Sequence, residues 1–292
     1  MKIGVNQFCF PCSYDVESML KAAKKLAFDS VEVCLTAANG CGSASCATVS
    51  DALDISGYHN RLLNVASTKQ DILLLRQMAD DIGMPIRSVG GIVSFSIYPM
   101  TSEEPAIASQ CMDAVKKMLD AAQLLGADTV LVIPGLLTAH MRYERAYELT
   151  QKRLAELADY APDVTLAVEN VWNHMLYSPM EMGRFVDETC RKNIGVYFDI
   201  ANARRFGYPE QWIRYLGKRI KRFHCKDYRM SIDNINAFTN LLDGDVNYPE
   251  VIKAIREIDY HNELVVELVP PARHLVESTL VYARQTLLEL LS

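Results

Sequence analysis

Four short, mostly apolar runs in the second half of the chain each end in a side chain that can bind a metal ion. They are Leu166-Ala167-Val168-Glu169, Val196-Tyr197-Phe198-Asp199, Arg222-Phe223-His224 and Val265-Val266-Glu267. A carboxylate at the end of an apolar strand loses hydration, a loss tolerated when the charge is paired or metal-bound. One such residue alone is as readily a helix-capping acid or a satisfied core histidine. Four in succession read instead as a ligand set of three carboxylates and an imidazole. Three anionic oxygens and one nitrogen suit one divalent ion of intermediate hardness, Mn²⁺ first, with Zn²⁺, Co²⁺ or Mg²⁺ behind it. Such an ion could polarise a carbonyl so that a neighbouring carboxylate can remove a proton from the adjacent carbon.

The elements that must position these groups alternate along the whole chain. β-branched or apolar runs predict strands at 2–6, 30–35, 85–90, 129–134, 165–169, 194–199, 220–224 and 264–267. Amphipathic segments predict helices at 15–27, 67–82, 103–125, 142–160, 179–190, 209–216, 248–258 and 272–291. Local signals support the boundaries: Gly83 and Gly126 as helix stops, Ser178-Pro179 as a helix start, and Asn247 with Glu250 as a capping box. Strict strand–helix alternation implies α/β class, a parallel sheet and right-handed crossovers. Eight strands are the number that closes into a (β/α)₈ barrel. The first turn, Asn6-Gln7-Phe8-Cys9-Phe10-Pro11, lacks the glycines that a doubly wound sheet would want there. The expectation is a single barrel domain over 1–292, with the ligands at the C-terminal ends of strands five to eight, where barrel chemistry sits.

Composition narrows the function classes. A formal net charge of −6 disfavours a nucleic-acid surface, which needs a clustered basic face. No apolar run approaches the roughly 18–20 residues of a membrane span. The chain starts directly as a strand, without a leader, so the eight cysteines are expected to be reduced in a cytoplasmic protein. Cys41 and Cys46, without a second Cys/His pair, make a poor zinc knuckle. The small-residue stretch 36–57 follows the second strand and reads either as a loop that covers the substrate or as a floppy insertion.

Several mouth-facing residues are candidates to touch a substrate. Asn6 ends the first strand, and Trp172 and Tyr177 follow Glu169, where they could line a sugar pocket or equally anchor the loop. Arg229, five residues past His224, could hold a hydroxyl or a phosphate, or equally be a solvated loop arginine. Lys226 and Asp227 are expected to pair with each other or to support the ligand shell. His140 and His174 fall in mouth-facing loops and read as surface histidines.

Together, Val168-Glu169-Asn170, Tyr197-Phe198-Asp199-Ile200-Ala201-Asn202, Phe223-His224-Cys225-Lys226-Asp227, Asp243-Gly244-Asp245-Val246-Asn247-Tyr248 and Val266-Glu267 resemble the sugar isomerase and epimerase barrels. This xylose isomerase-like TIM-barrel family also includes inosose dehydratases and type IV apurinic endonucleases. The resemblance covers essentially the whole chain. It implies one metal held by Glu169, Asp199, His224 and Glu267, with Glu169 and Glu267 moving protons. Many free-ketose epimerases carry His three residues after the metal-binding Asp, where this chain has Asn202, and a second Glu where it has Met175. The Asp-x-x-Asn version is similar to phosphopentulose 3-epimerases and makes Asn202 a substrate-binding candidate. The extra histidines of the trinuclear endonucleases are missing.

The implied activity is metal-dependent isomerisation or epimerisation of a ketose sugar or ketose phosphate through an enediolate. The partner is thus a small molecule rather than nucleic acid or membrane, with a homo-oligomer left open. Two alternatives stand beside this reading. One is a lyase of the inosose dehydratase or C-glycoside β-elimination type. The other is a non-catalytic sugar-binding barrel.

Overall fold

The computed structural model describes residues 1–38 and 59–292. Eight parallel strands close into a barrel: β1 (Lys2–Asn6), β2 (Ser30–Cys34), β3 (Ile86–Gly90), β4 (Thr129–Val132), β5 (Thr165–Glu169), β6 (Ile194–Asp199), β7 (Ile220–Cys225) and β8 (Glu263–Val266). Each strand pairs with its sequence neighbours, and β8 closes on β1 with Gly4 opposite Val265. The covering helices are α1 (Val16–Lys25), α2 (Lys69–Ile82), α3 (Pro105–Leu125), α4 (Tyr143–Tyr160), α5 (Pro179–Glu188), α6 (Ile200–Arg204), α7 (Pro209–Leu216), α8 (Tyr248–Glu257) and α9 (Val276–Leu291). No helix among the described residues is long and apolar enough to cross a membrane. Most of the stretch 36–57, with Cys41 and Cys46, lies outside the described residues.

Strand alternation decides which side chains enter the barrel, because successive Cβ atoms point to opposite faces. Val168, Val196, Phe198, Phe223, Leu264 and Val266 face outward into the core shared with the helices. The intervening Ala167, Tyr197 and Val265 pack inside the barrel with Phe95 and Leu131. By the same period of two, Glu169, Asp199, His224 and Glu267 continue the inward rows at the C-terminal rim. The apolar runs therefore build the wall, and their last residues carry the chemistry.

Local signals act largely as the sequence implies. Gly83 and Gly126 end α2 and α3 in the left-handed region, at φ of 68° and 74°. Ser178 caps α5 by accepting the Glu181 N–H. Half of the expected box at α8 forms: Asn247 accepts the Glu250 N–H, while the Glu250 carboxylate is drawn away to Arg214 and Lys253. The last helix starts at Val276 rather than 272, because Pro270 and Pro271 offer no N–H and Leu275 stands at φ 52°. The fourth strand stops at Val132, short of 134. One helix was absent from the sequence expectation. α6 follows β6 directly because the Asp199 side chain caps it, accepting the Asn202 N–H at 2.8 Å.

Gly91, just after β3, fixes how closely the β2 and β3 ends approach. Its φ is +141°, and a Cβ there would stand 2.7 Å from the Leu35 carbonyl oxygen. Gly91→Ala is expected to destabilise the barrel by about 1–3 kcal/mol, from strain plus displacement of that backbone. A chemical-denaturation midpoint equal to that of the parent would refute this.

Candidate metal centre

The four predicted ligands come together. One ligand atom from each of Glu169, Asp199, His224 and Glu267 lies within 4.8 Å of every other. Neighbouring strands set this spacing, since Asp199 pairs in register with His224, and His224 with Val265. Glu267 lies one residue past β8, with its N–H donating to the Cys225 carbonyl at 3.1 Å. Asn170 ties the rims of β5 and β6 together: its Nδ2 donates to the Asp199 carbonyl at 2.9 Å and its Oδ1 accepts the Asp199 N–H at 2.7 Å. Asp199 is held from both ends, one oxygen capping α6 and the other turned to the centre.

His224 is aimed by a residue that the sequence reading missed. Its Nε2 lies 2.7 Å from Glu32 Oε1, on β2 across the barrel. Its Nδ1 faces the other three ligands, 3.2 Å from Glu169, 3.4 Å from Glu267 and 4.0 Å from Asp199. Glu32 is itself fully engaged: Asn6 Nδ2 donates to it at 2.6 Å, Ser88 Oγ at 2.6 Å and the Tyr197 hydroxyl at 2.7 Å. A carboxylate between Val31 and Val33 in a buried strand was the available signal. Its importance lay in a partner 192 positions away, which spacing cannot show.

The electrostatics follow from packing these charges in one place. Burial, reinforced by Glu267 and Asp199 and opposed by His224, pushes the Glu169 carboxyl up to about 7. Burial would also raise Glu32, but the charge and hydrogen bond of His224, with Ser88 and Tyr197, hold it down at about 2. Burial opposes charge on His224 as well, yet Glu267 and Glu32 raise it well above the usual imidazole range. Lys226 enters the same centre. Its ammonium contacts Asp199 and Glu267, which keep it charged despite burial. Of the two alternatives for Lys226 and Asp227, mutual pairing does not form, and Lys226 joins the ligand cluster. Asp227 instead accepts the Tyr228 and Val246 N–H groups and clips the 242–246 loop.

This donor set fits a divalent cation. Around an ion with bonds of about 2.0–2.2 Å, adjacent donor atoms stand roughly 3 Å apart; His224 Nδ1 stands 3.2 Å from Glu169 and 3.4 Å from Glu267, with Asp199 farther at 4.0 Å. The imidazole offers one nitrogen to the centre while the other is bound to a carboxylate, the usual arrangement of a ligating histidine. Lys226 marks the same carboxylates as a place where positive charge is stabilised.

A cavity opens above the cluster and is lined by Asn6, Trp172 and Asn202 among others. The Asn6 amide is committed to Glu32 and the Phe8 N–H. Trp172 stacks on Phe238 with centroids 5.0 Å apart, and its Nε1 donates to the Asn202 carbonyl. Arg229 is exposed and does not line the cavity; its Nε donates to the Asp243 carbonyl at 2.8 Å, which turns it aside. Tyr177 anchors the loop by stacking on Phe206 and accepting the His174 N–H. His140 and His174 are exposed.

Comparison with known proteins places this geometry. An uncharacterized protein of Methanocaldococcus jannaschii is 23% identical over 184 residues, or 59% of this chain, and the match spans 61% of that protein's length. A D-tagatose 3-epimerase-like protein superposes with a TM-score of 0.78 at 19% identity, covering 100% of this chain and 97% of the other. The IolI protein, solved with a zinc atom bound, superposes with a TM-score of 0.78 at 16% identity, covering 100% and 98%. At such identities the likeness concerns the fold. The family model for the xylose isomerase-like TIM barrel matches residues 20–284, and the chain belongs to that family.

Proposed function

We propose that the protein is a divalent-metal-dependent isomerase or epimerase that moves a proton on the carbon next to the carbonyl of a ketose. The observation that carries this reading is the convergence of Glu169, Asp199, His224 and Glu267 on one buried point at the barrel mouth. The likeness to a D-tagatose 3-epimerase-like protein and to zinc-binding IolI supports it. Mn²⁺ suits three carboxylates and an imidazole best, with Zn²⁺, Co²⁺ or Mg²⁺ as substitutes.

When bound, the ion would act as a Lewis acid on the carbonyl, lowering the barrier to proton loss from the adjacent carbon. The chain's own residues do the rest. Glu169 and Glu267 stand at the two ends of the ligand arc, on β5 and just past β8, so each can address one face of the substrate carbon. A positioned carboxylate within reach of the substrate carbon can accept its proton and return it. One glutamate takes the proton to leave an enediolate, and the other delivers one from the opposite face. Asn202 and Trp172 bound the cavity in which the sugar lies. Lys226 offsets part of the carboxylate charge at the centre.

The test is elemental analysis with and without the imidazole. The purified protein should hold close to one divalent ion per chain, and His224→Ala should weaken its retention by about a hundredfold or more. A His224→Ala protein that keeps its full complement of metal would remove this centre as the site of the chemistry.

A further inference from the structure

The cavity beside the carboxylates has a polar end and an apolar end, and the apolar end is built as one surface. Phe95, Leu131 and Ile133 belong to a single cluster, against which Ile92 and Val171 pack, and all five line the cavity. The Trp172–Phe238 stack lines it as well. We infer that the substrate carries its α-hydroxyketone on an aryl-sized apolar group, and that this group rather than a phosphate or a bare polyol chain occupies the wall formed by Phe95, Leu131, Ile133 and Val171. This rests on the metal-centred reading above and narrows its substrate class.

Three observations support the choice. First, a polyol chain placed against this wall would lose water from its hydroxyls without gaining protein partners there. Second, a phosphate requires cations or aligned donors, and Lys226 is the sole lysine or arginine among the described residues lining the cavity. Its ammonium is already held between Asp199 and Glu267. Arg229 is turned to the Asp243 carbonyl, and Arg205 pairs with Asp233 at 3.0 Å while lying over Trp172. The segment 39–58 contains no Lys, Arg or His. Third, four carboxylates, Glu32, Glu169, Asp199 and Glu267, converge on the polar end and repel a second anion even when one divalent ion is present.

Small α-hydroxyketones isolate each element of the claim. Binding of hydroxyacetone, 2-hydroxyacetophenone, dihydroxyacetone and dihydroxyacetone phosphate to the Mn²⁺-loaded protein is measured by calorimetry. Exchanging methyl for phenyl should tighten binding by about tenfold or more, the return expected from burying a phenyl ring. Adding the phosphate should not tighten it. Val171→Asp, at a half-buried position where the carboxylate stays hydrated, should erase most of the phenyl gain while the thermal transition persists. Metal-dependent binding without a phenyl gain, or with a gain from phosphate, overturns this inference and leaves the metal-centred reading intact. Binding of all four compounds that is indifferent to Mn²⁺ overturns that reading and this inference with it.

Discussion

Glu169→Gln and Glu267→Gln should each lower net epimerisation by about 10²–10⁴-fold, the usual contribution of a positioned general acid or base. Glutamine keeps the shape and one oxygen donor of glutamate, so both variants should fold and retain much of their metal. The two should nevertheless differ in one readout. In D₂O, a ketose that exchanges a proton with the parent enzyme should still do so with one of the variants. The surviving glutamate can remove and restore a proton on its own face without inverting the carbon. NMR of the recovered sugar then reports which face each glutamate serves. The position of Glu169 and Glu267 at opposite ends of the arc, with Asp199 and His224 between them, is what makes the two roles separable. Two metal-loaded variants that turn over at the parent rate would end the two-base mechanism.

Much of this arrangement was legible because a barrel converts sequence order into spatial order. Strands β5 to β8 are neighbours in sequence and in space, so four candidate ligands at their ends had to lie on one arc. The period of two then aimed Glu169, Asp199 and His224 inward, once Val168, Phe198 and Phe223 were read as facing outward. Long-range partnerships were not legible. Glu32 reaches His224 and Tyr197 across the barrel lumen, a contact set by barrel diameter and side-chain length rather than by spacing. Lys226 carried a cue in its place two residues after His224, which puts both side chains on the same face. Its pull toward Asp199 and Glu267 depends on local charge density, which left pairing with the adjacent Asp227 open as an alternative, and Asp227 is taken by the 242–246 loop. Arg229 had the right position along the chain, but a free carbonyl at Asp243 outcompeted the cavity for its guanidinium. The short helix α6 escaped notice because Asp199 was read only as a ligand. One of its oxygens is a helix cap, and that cap holds the other oxygen toward the centre.

Glu32→Gln is expected to weaken metal binding by about 10–100-fold without touching a single metal ligand. Glu32 Oε1 sits at the Nε2 edge of His224, so its negative charge favours a proton on Nε2 and leaves Nδ1 as the nitrogen that would bind an ion beside Glu169, Asp199 and Glu267. The neutral amide leaves that orientation less favoured. It also sets its own N–H groups against Asn6 Nδ2 or against the Tyr197 and Ser88 hydroxyls, all of which donate to Glu32 now. The ring should lose both its anchor and some of its basicity, and the ion would then bind a less well-formed site. A second buried carboxylate separates this effect from simple destabilisation. Glu263 starts β8, on the far side of the barrel from the rim, and lies 3.9 Å from Arg222. Glu263→Gln should alter the unfolding midpoint while leaving Mn²⁺ affinity within about threefold of the parent, since it touches none of the four ligands. Calorimetric titration of both variants with Mn²⁺, alongside their denaturation curves, decides the matter. Equal Mn²⁺ affinity in Glu32→Gln and the parent would reduce Glu32 to a packing residue, whereas a loss confined to Glu32→Gln assigns it the positioning of His224.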